Sequence, residues 1–173
     1  MARGARGVGR TVDTGYPALS RELPGGGWPR GALVELLLQQ AGIGELRLLA
    51  PALASIALRP IALLQPPQDP NAHGLSYIGL RPERLLMIRT RNTADALWSA
   101  EQVLKTGSCA ALLMWQQHVR PESLRRLHLA AKSGETLLFM FRPLASALDA
   151  SPAELRLGLR PDAAVNRTKH GTP

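Results

Sequence analysis

The sequence is poor in the residues that build metal and redox sites. Cys109 is its one cysteine, which excludes an intrachain disulfide and a cysteine-based metal centre. It precedes an apolar run and reads as a small buried hydrophobe rather than a nucleophile. His73, His118, His128 and His170 show no ligand-type spacing, so no metal site is expected, and no cofactor is predicted. No apolar run reaches the roughly 18–20 residues of a membrane span, and the basic N-terminus lacks the apolar segment of a secretory signal. These absences predict a cytoplasmic chain with no membrane contact. Lysine is scarce as well: 18 of the 21 basic residues are arginine, set against 13 acidic ones, for a formal charge of +8. Such a surplus attracts nucleic acid or an acidic protein surface. It equally fits a solvated, arginine-rich surface from a compositionally biased genome.

What is present suits one domain: 173 residues, 45% of them hydrophobic, supply a genuine core. Residues 1–10 are Gly/Arg-rich and predicted to be a disordered arm, residues 11–161 the folded domain, and residues 162–173 a polar, unstructured tail. Gly25-Gly26-Gly27-Trp28-Pro29 must be a loop. Four short apolar runs read as strands buried on both faces: Ala32 to Leu38, Ile61 to Leu64, Ala110 to Trp115 and Leu137 to Phe141. Leu85 to Ile88 reads as another of the same kind. Helices are predicted over Gly44 to Leu58, kinked or restarted at Pro51, over Thr93 to Lys105, and over Pro121 to Lys132. The second has Asn92 or Thr93 as N-cap and Gly107 after its last turn, with Ala94, Leu97, Trp98 and Leu104 inward. The third turns Leu124, Leu127 and Ala131 inward, and Arg125 and Arg126 outward. Leu155, Leu157 and Leu159 alternate with polar or small residues, the mark of a half-exposed edge strand. Strands alternating with helices imply βαβ units, hence an α/β fold with a mostly parallel sheet flanked by helices.

Thr14-Gly15-Tyr16-Pro17-Ala18-Leu19, followed by Gly25-Gly26-Gly27-Trp28-Pro29-Arg30-Gly31 and a strand containing Val34-Glu35, resembles the opening of a RecA-type ATPase core. The resemblance implies a RecA-like fold. In such ATPases that strand feeds a G-x-x-x-x-G-K-[ST] loop, whose backbone N–H groups cradle phosphates while its Lys and hydroxyl serve phosphate and Mg²⁺. Here Gly42 and Gly44 remain, but Glu45 stands where Lys belongs and Leu46 where the hydroxyl belongs. The run Ala110 to Met114 leads to Trp115-Gln116-Gln117 rather than the metal-binding Asp, and Gln65-Pro66-Pro67-Gln68 replaces the water-positioning Glu. A non-catalytic protein with a degenerate P-loop at Gly42, Gly44, Glu45 and Leu46 is therefore expected. Trp115 would fill the space of the lost magnesium and γ-phosphate.

Two families of inactive RecA relatives resemble this chain. The run Glu22 to Leu33, the run Gly42 to Leu49, Arg89-Thr90-Arg91 and the run Ala94 to Gln102 resemble ImuA, an accessory of SOS-induced translesion DNA synthesis. That likeness implies contacts with the polymerase-like ImuB and with RecA. The alternative is SulA, the SOS-induced division inhibitor, which implies FtsZ as partner. Relative to ImuA the chain is expected to be short at its C-terminus. Under the RecA resemblance His118, Arg120 and Arg142 fall in loops facing DNA, and with Arg125 and Arg126 they are predicted to form a basic contact surface. Arg125 and Arg126 also read as a solvated helix face. Trp28 either plugs the core from its loop or anchors a partner, and Trp98 is expected in the core.

Overall fold

A computed structural model describes residues 10–42 and 44–160. The arm and tail predicted for residues 1–10 and 162–173 thus lie outside the described residues, except Arg10, whose carbonyl accepts the N–H of Arg30.

In chain order the elements are β1 (Thr11–Val12), α1 (Pro17–Glu22), β2 (Trp28–Pro29), β3 (Leu33–Leu38), α2 (Glu45–Ser55), β4 (Ile61–Leu64), α3 (Ala72–Tyr77), β5 (Leu85–Ile88), α4 (Thr93–Thr106), β6 (Ala111–Trp115), α5 (Pro121–Lys132), β7 (Leu137–Pro143) and β8 (Leu155–Leu159). β1 and β2 form a small antiparallel ribbon. The other six strands form one sheet, ordered β5-β4-β6-β7-β3-β8, in which every neighbouring pair is parallel. This is the α/β fold with a parallel sheet that the alternation of elements predicts.

The period of two along each strand divides the core into two layers. Val34, Leu36, Ile61, Leu63, Leu113 and Phe139 face α2, α3 and the N-terminal segment, among Leu49, Leu53, Leu75 and Trp28. Leu33, Ala62, Leu64, Leu112, Met114 and Met140 face α4 and α5, among Ala96, Ala100, Leu104, Leu124 and Leu127. Each fully buried leucine contributes about 1.5–3 kcal/mol relative to exposure, so the central strands anchor the domain.

Helix α4 begins where Asn92 accepts the N–H of Asp95 at 2.8 Å and ends at Gly107, which holds the left-handed conformation with φ 63°. Its inward stripe is Ala96, Ala100 and Leu104, spaced i, i+4, i+8. Trp98 is therefore turned outward and is 63% exposed, against the expectation of a core position, and Ala94 is exposed as well. The small alanines, not the large side chains, mark the packed face, because they let the helix lie close to the sheet.

Two local features explain the N-terminal motif. Pro51 lies inside α2, which continues through it from Glu45 to Ser55, so of the predicted kink or restart there is no restart. Proline has no N–H to offer the carbonyl of Arg47, and the Tyr16 hydroxyl donates to that carbonyl instead, at 3.0 Å. Gly15 sits directly on the proline: a Cβ there would lie 2.3 Å from Pro51 Cβ. Gly27 passes so close to β1 that a Cβ would lie 2.3 Å from the Val12 carbonyl oxygen. Both glycines are thus required by packing.

The two sheet edges differ from one another. β8 is a half-buried edge strand, as its alternation predicts. β5 was expected to be buried on both faces but forms the opposite edge, with Leu86 and Met87 exposed.

Candidate functional site

The loop after β3 meets the first turn of α2 at Gly44, the helix N-cap, in the left-handed conformation with φ 108°. A helix start presents N–H groups without intrahelical partners and a positive dipole end, which suits it to hold an anion. Here the anion is the chain's own. One carboxylate oxygen of Glu45 accepts the Gly42 N–H at 2.9 Å, and the other accepts the Gly44 N–H at 3.2 Å. The indole N–H of Trp115, at the end of β6, donates to the same carboxylate at 3.3 Å. The Trp115 ring stacks on Phe141 with centroids 4.6 Å apart. Glu45 is only 4% exposed, while Leu46 packs against the adjoining core. Glu45 and Trp115, separated by 70 positions, thus close one another off. They border a cleft of about 330 Å³, opposite Pro66, Pro67 and Asp69. Among the described residues, no three His, Cys, Asp or Glu side chains converge as a metal site, and no helix is long and apolar enough to cross a membrane.

The predicted basic surface is only partly assembled. Arg120, Arg125 and Arg126 are exposed, at and along the start of α5. Arg126 pairs with Glu101 of α4 at 2.8 Å, and Lys105 pairs with the same carboxylate at 2.7 Å. The Lys105 hydrogen bond, followed by the charge of Arg126, holds the Glu101 carboxyl below its usual range. His118 is exposed in the loop before α5.

Arg142 does not belong to that surface. β7 runs past the predicted end at Phe141, so Arg142 is a strand residue in register with Leu37 of β3 and is buried. Its guanidinium lies 3.4 Å from Glu35 and 3.4 Å from Asp149. Arg156 of β8 reaches Glu35 at 3.3 Å, and the Ser151 hydroxyl donates to the same carboxylate. The cluster fastens the crossover from β7 to β8 onto the sheet. Trp28 is likewise unavailable to a partner: it is fully buried, edge-on to Phe139 at 5.3 Å, the plug rather than the anchor.

The surface that sequence reasoning missed is the β5 edge. Leu58 is 90% exposed and Tyr77 83% exposed, and Arg84, just before β5, donates to the Leu58 carbonyl at 3.4 Å. Leu86 and Met87 of β5 itself are exposed too. The length of the Leu85–Ile88 run gave no signal, since interior β4 is equally short; only the arginines that bound it, Arg84 and Arg89, suit an edge better than an interior strand.

The chain is thus a parallel α/β domain whose glycine loop is closed by its own carboxylate and whose apolar sheet edge is open. No family model matches the sequence. Cell division inhibitor SulA of Yersinia pestis and that of Yersinia pseudotuberculosis are each 31% identical to it over 81 residues, 47% of this chain and 48% of theirs. The chain thus spans about half the length of the curated relatives it matches. The fold is also that of SulA from Pseudomonas aeruginosa, with a TM-score of 0.50 and 24% identity over 63% of this chain and 97% of that one.

These similarities overturn the expectation of an ImuA-like accessory of translesion synthesis acting with ImuB and RecA, because they fall on a cell-division inhibitor. The structure gives the physical reason. The first of the four runs that favoured ImuA, Glu22 to Leu33, goes through Gly27 and Trp28, a close backbone approach and a core plug. It reports how the N-terminal segment packs, which does not discriminate between partners.

Proposed function

We propose that this protein is a SulA-like inhibitor of cell division that acts by binding FtsZ, with expression tied to the SOS response to DNA damage. The observation that carries the reading is the 31% identity to SulA proteins over 81 residues. The closed glycine loop supports a binding rather than a hydrolytic role: Glu45 occupies the N–H groups that a phosphate would need, and its charge opposes a triphosphate. In this reading the domain of residues 11–161 is a RecA-like scaffold that retains the shape of an ATPase core without its chemistry. It works in the cytoplasm and needs no cofactor.

The open edge at β5, where Leu86 and Met87 are exposed, is the surface best suited to a protein partner, since large exposed apolar side chains mark association sites. Sedimentation of FtsZ polymers in the presence of GTP provides the test. Purified protein at stoichiometric amounts is expected to leave FtsZ in the supernatant, and undiminished polymer overturns the reading. The double substitution Leu86→Glu, Met87→Glu is expected to abolish that inhibition while leaving the thermal midpoint within a few degrees, because both side chains already meet water. Calorimetric titration with ATP and magnesium is expected to give no heat of binding, and micromolar affinity would contradict the role assigned to Glu45.

A further inference from the structure

Six of the seven glutamines in the sequence cluster at one pole of the molecule, which makes their placement a property of that pole. Gln39 and Gln40 follow β3, Gln65 and Gln68 follow β4, and Gln116 and Gln117 follow β6. Because these strands are parallel, all six lie at their carboxyl ends, the position where open parallel sheets take their ligands. A cleft of about 410 Å³ opens there, lined by Gln39, Gln40, Gln65, Trp115, Gln116 and Gln117.

Two of these amides are engaged. Gln65 exchanges hydrogen bonds with the backbone of Thr90 at 3.0 Å in both directions, and Gln116 donates to the Thr93 hydroxyl at 3.1 Å. Gln39, Gln40 and Gln117 are exposed and have no such partner among the described residues. Of the residues lining the cleft only Arg142 is charged, and it is paired with Glu35 and Asp149, while Glu45 behind Trp115 is held by two backbone N–H groups and the indole. A charged ligand would therefore lose its hydration here without gaining a counter-ion. Carboxamides offer donors and acceptors together, which is the pattern of a peptide main chain. The stacked Trp115–Phe141 pair supplies an apolar wall for one side chain.

We infer that this cleft receives an extended, uncharged segment of the protein partner, with its main chain held by Gln39, Gln40 and Gln117 and one side chain against Trp115. The inference rests on the reading of the protein as an FtsZ-binding inhibitor and adds a second contact to the β5 edge.

The test uses full-length protein carrying Trp98→Phe, so that Trp115 reports against a constant signal from the buried Trp28. Addition of FtsZ is expected to shift the Trp115 emission to the blue. The triple substitution Gln39→Ala, Gln40→Ala, Gln117→Ala is expected to weaken binding by about tenfold or more, as the loss of several modest hydrogen bonds implies. Its melting curve should match the parent, and Gln102→Ala, on α4, should bind like the parent. Binding of FtsZ with unchanged emission, or with the triple variant within twofold of the parent, overturns the cleft assignment and leaves the inhibitor reading standing. Failure of the parent itself to bind FtsZ removes both. An emission change produced by single-stranded DNA in place of FtsZ assigns the cleft to nucleobases and overturns the inference.

Discussion

Glu35 and Glu45 lie ten positions apart, one within β3 and one at the start of α2, and both are buried, yet they are neutralised by opposite means. Glu35 is held by two full charges, Arg142 and Arg156, with help from the Ser151 hydroxyl. Glu45 is held by partial charges, two backbone N–H groups and an indole N–H. A formal counter-ion is needed where water is excluded on all sides and the carboxylate would otherwise remain uncompensated. Dipoles suffice at the start of a helix beside a cleft, where solvent can assist. The first arrangement therefore stabilises the fold, whereas the second mainly sets which ligands the cleft accepts.

The largest expected effect comes from breaking the first arrangement. Glu35→Ala leaves Arg142 buried with only the exposed Asp149 as partner and is expected to lower stability by about 3–5 kcal/mol in urea denaturation. Replacing all three members with apolar residues of similar volume (Glu35→Met, Arg142→Leu, Arg156→Leu) is expected to recover most of that loss, as buried ion clusters do when removed whole. A triple variant as unstable as the single one would mean that the cluster positions the crossover by more than charge balance.

Glu45→Ala should cost less, about 1–2 kcal/mol, because the Gly42 and Gly44 N–H groups it uncovers face a cleft that water can enter. Amide hydrogen exchange at Gly42 and Gly44 should accelerate, while exchange at Leu36 in the centre of β3 stays slow. Equal acceleration at both places would show that Glu45 supports the strand rather than the loop, and the contrast between the two glutamates would collapse.

This contrast also shows which features can be read from residues alone. The acidic Glu45 after the glycines and the Trp that ends the β6 run were both legible, because neither is a residue type that phosphate or metal binding uses. Their contact was not, since nothing local links positions 45 and 115. The strands β3, β4, β6 and β7 were legible as continuous apolar runs, whereas the edge position of β5 was not, because a four-residue apolar run looks the same with or without an outer neighbour. Arg142 was misplaced since the end of β7 depends on pairing with β3 two residues further than the apolar run extends. The outward position of Trp98 was not legible because side-chain size does not mark the buried face of α4, which Ala96 and Ala100 set. Partner choice was least legible of all, because the runs that favoured ImuA over SulA include Gly27 and Trp28, which serve packing rather than a partner.

The smallest effect concerns the other end of β3, where His128 of α5 accepts the Leu33 N–H through Nδ1 at 3.3 Å. Burial, followed by the nearby charge of Lys132, lowers the imidazole pKa from 6.5 in spite of the opposing charge of Glu154. The accepting nitrogen must be unprotonated, so the hydrogen bond and the lowered pKa describe the same neutral ring. In the unfolded chain His128 returns to a pKa near 6.5 and takes up a proton there first. Stability should therefore be retained above about pH 6.5 and decline as pH falls from that value toward the lowered pKa of the folded state. The decline is expected to be less than about 1 kcal/mol, in keeping with one partly exposed hydrogen bond. His128→Gln retains an acceptor that cannot titrate. Comparing its urea midpoint with that of the parent at pH 7.5 and 5.5 isolates the term: the variant should lose less stability than the parent over this interval. Equal losses would place the pH sensitivity elsewhere and leave His128 as a packing residue.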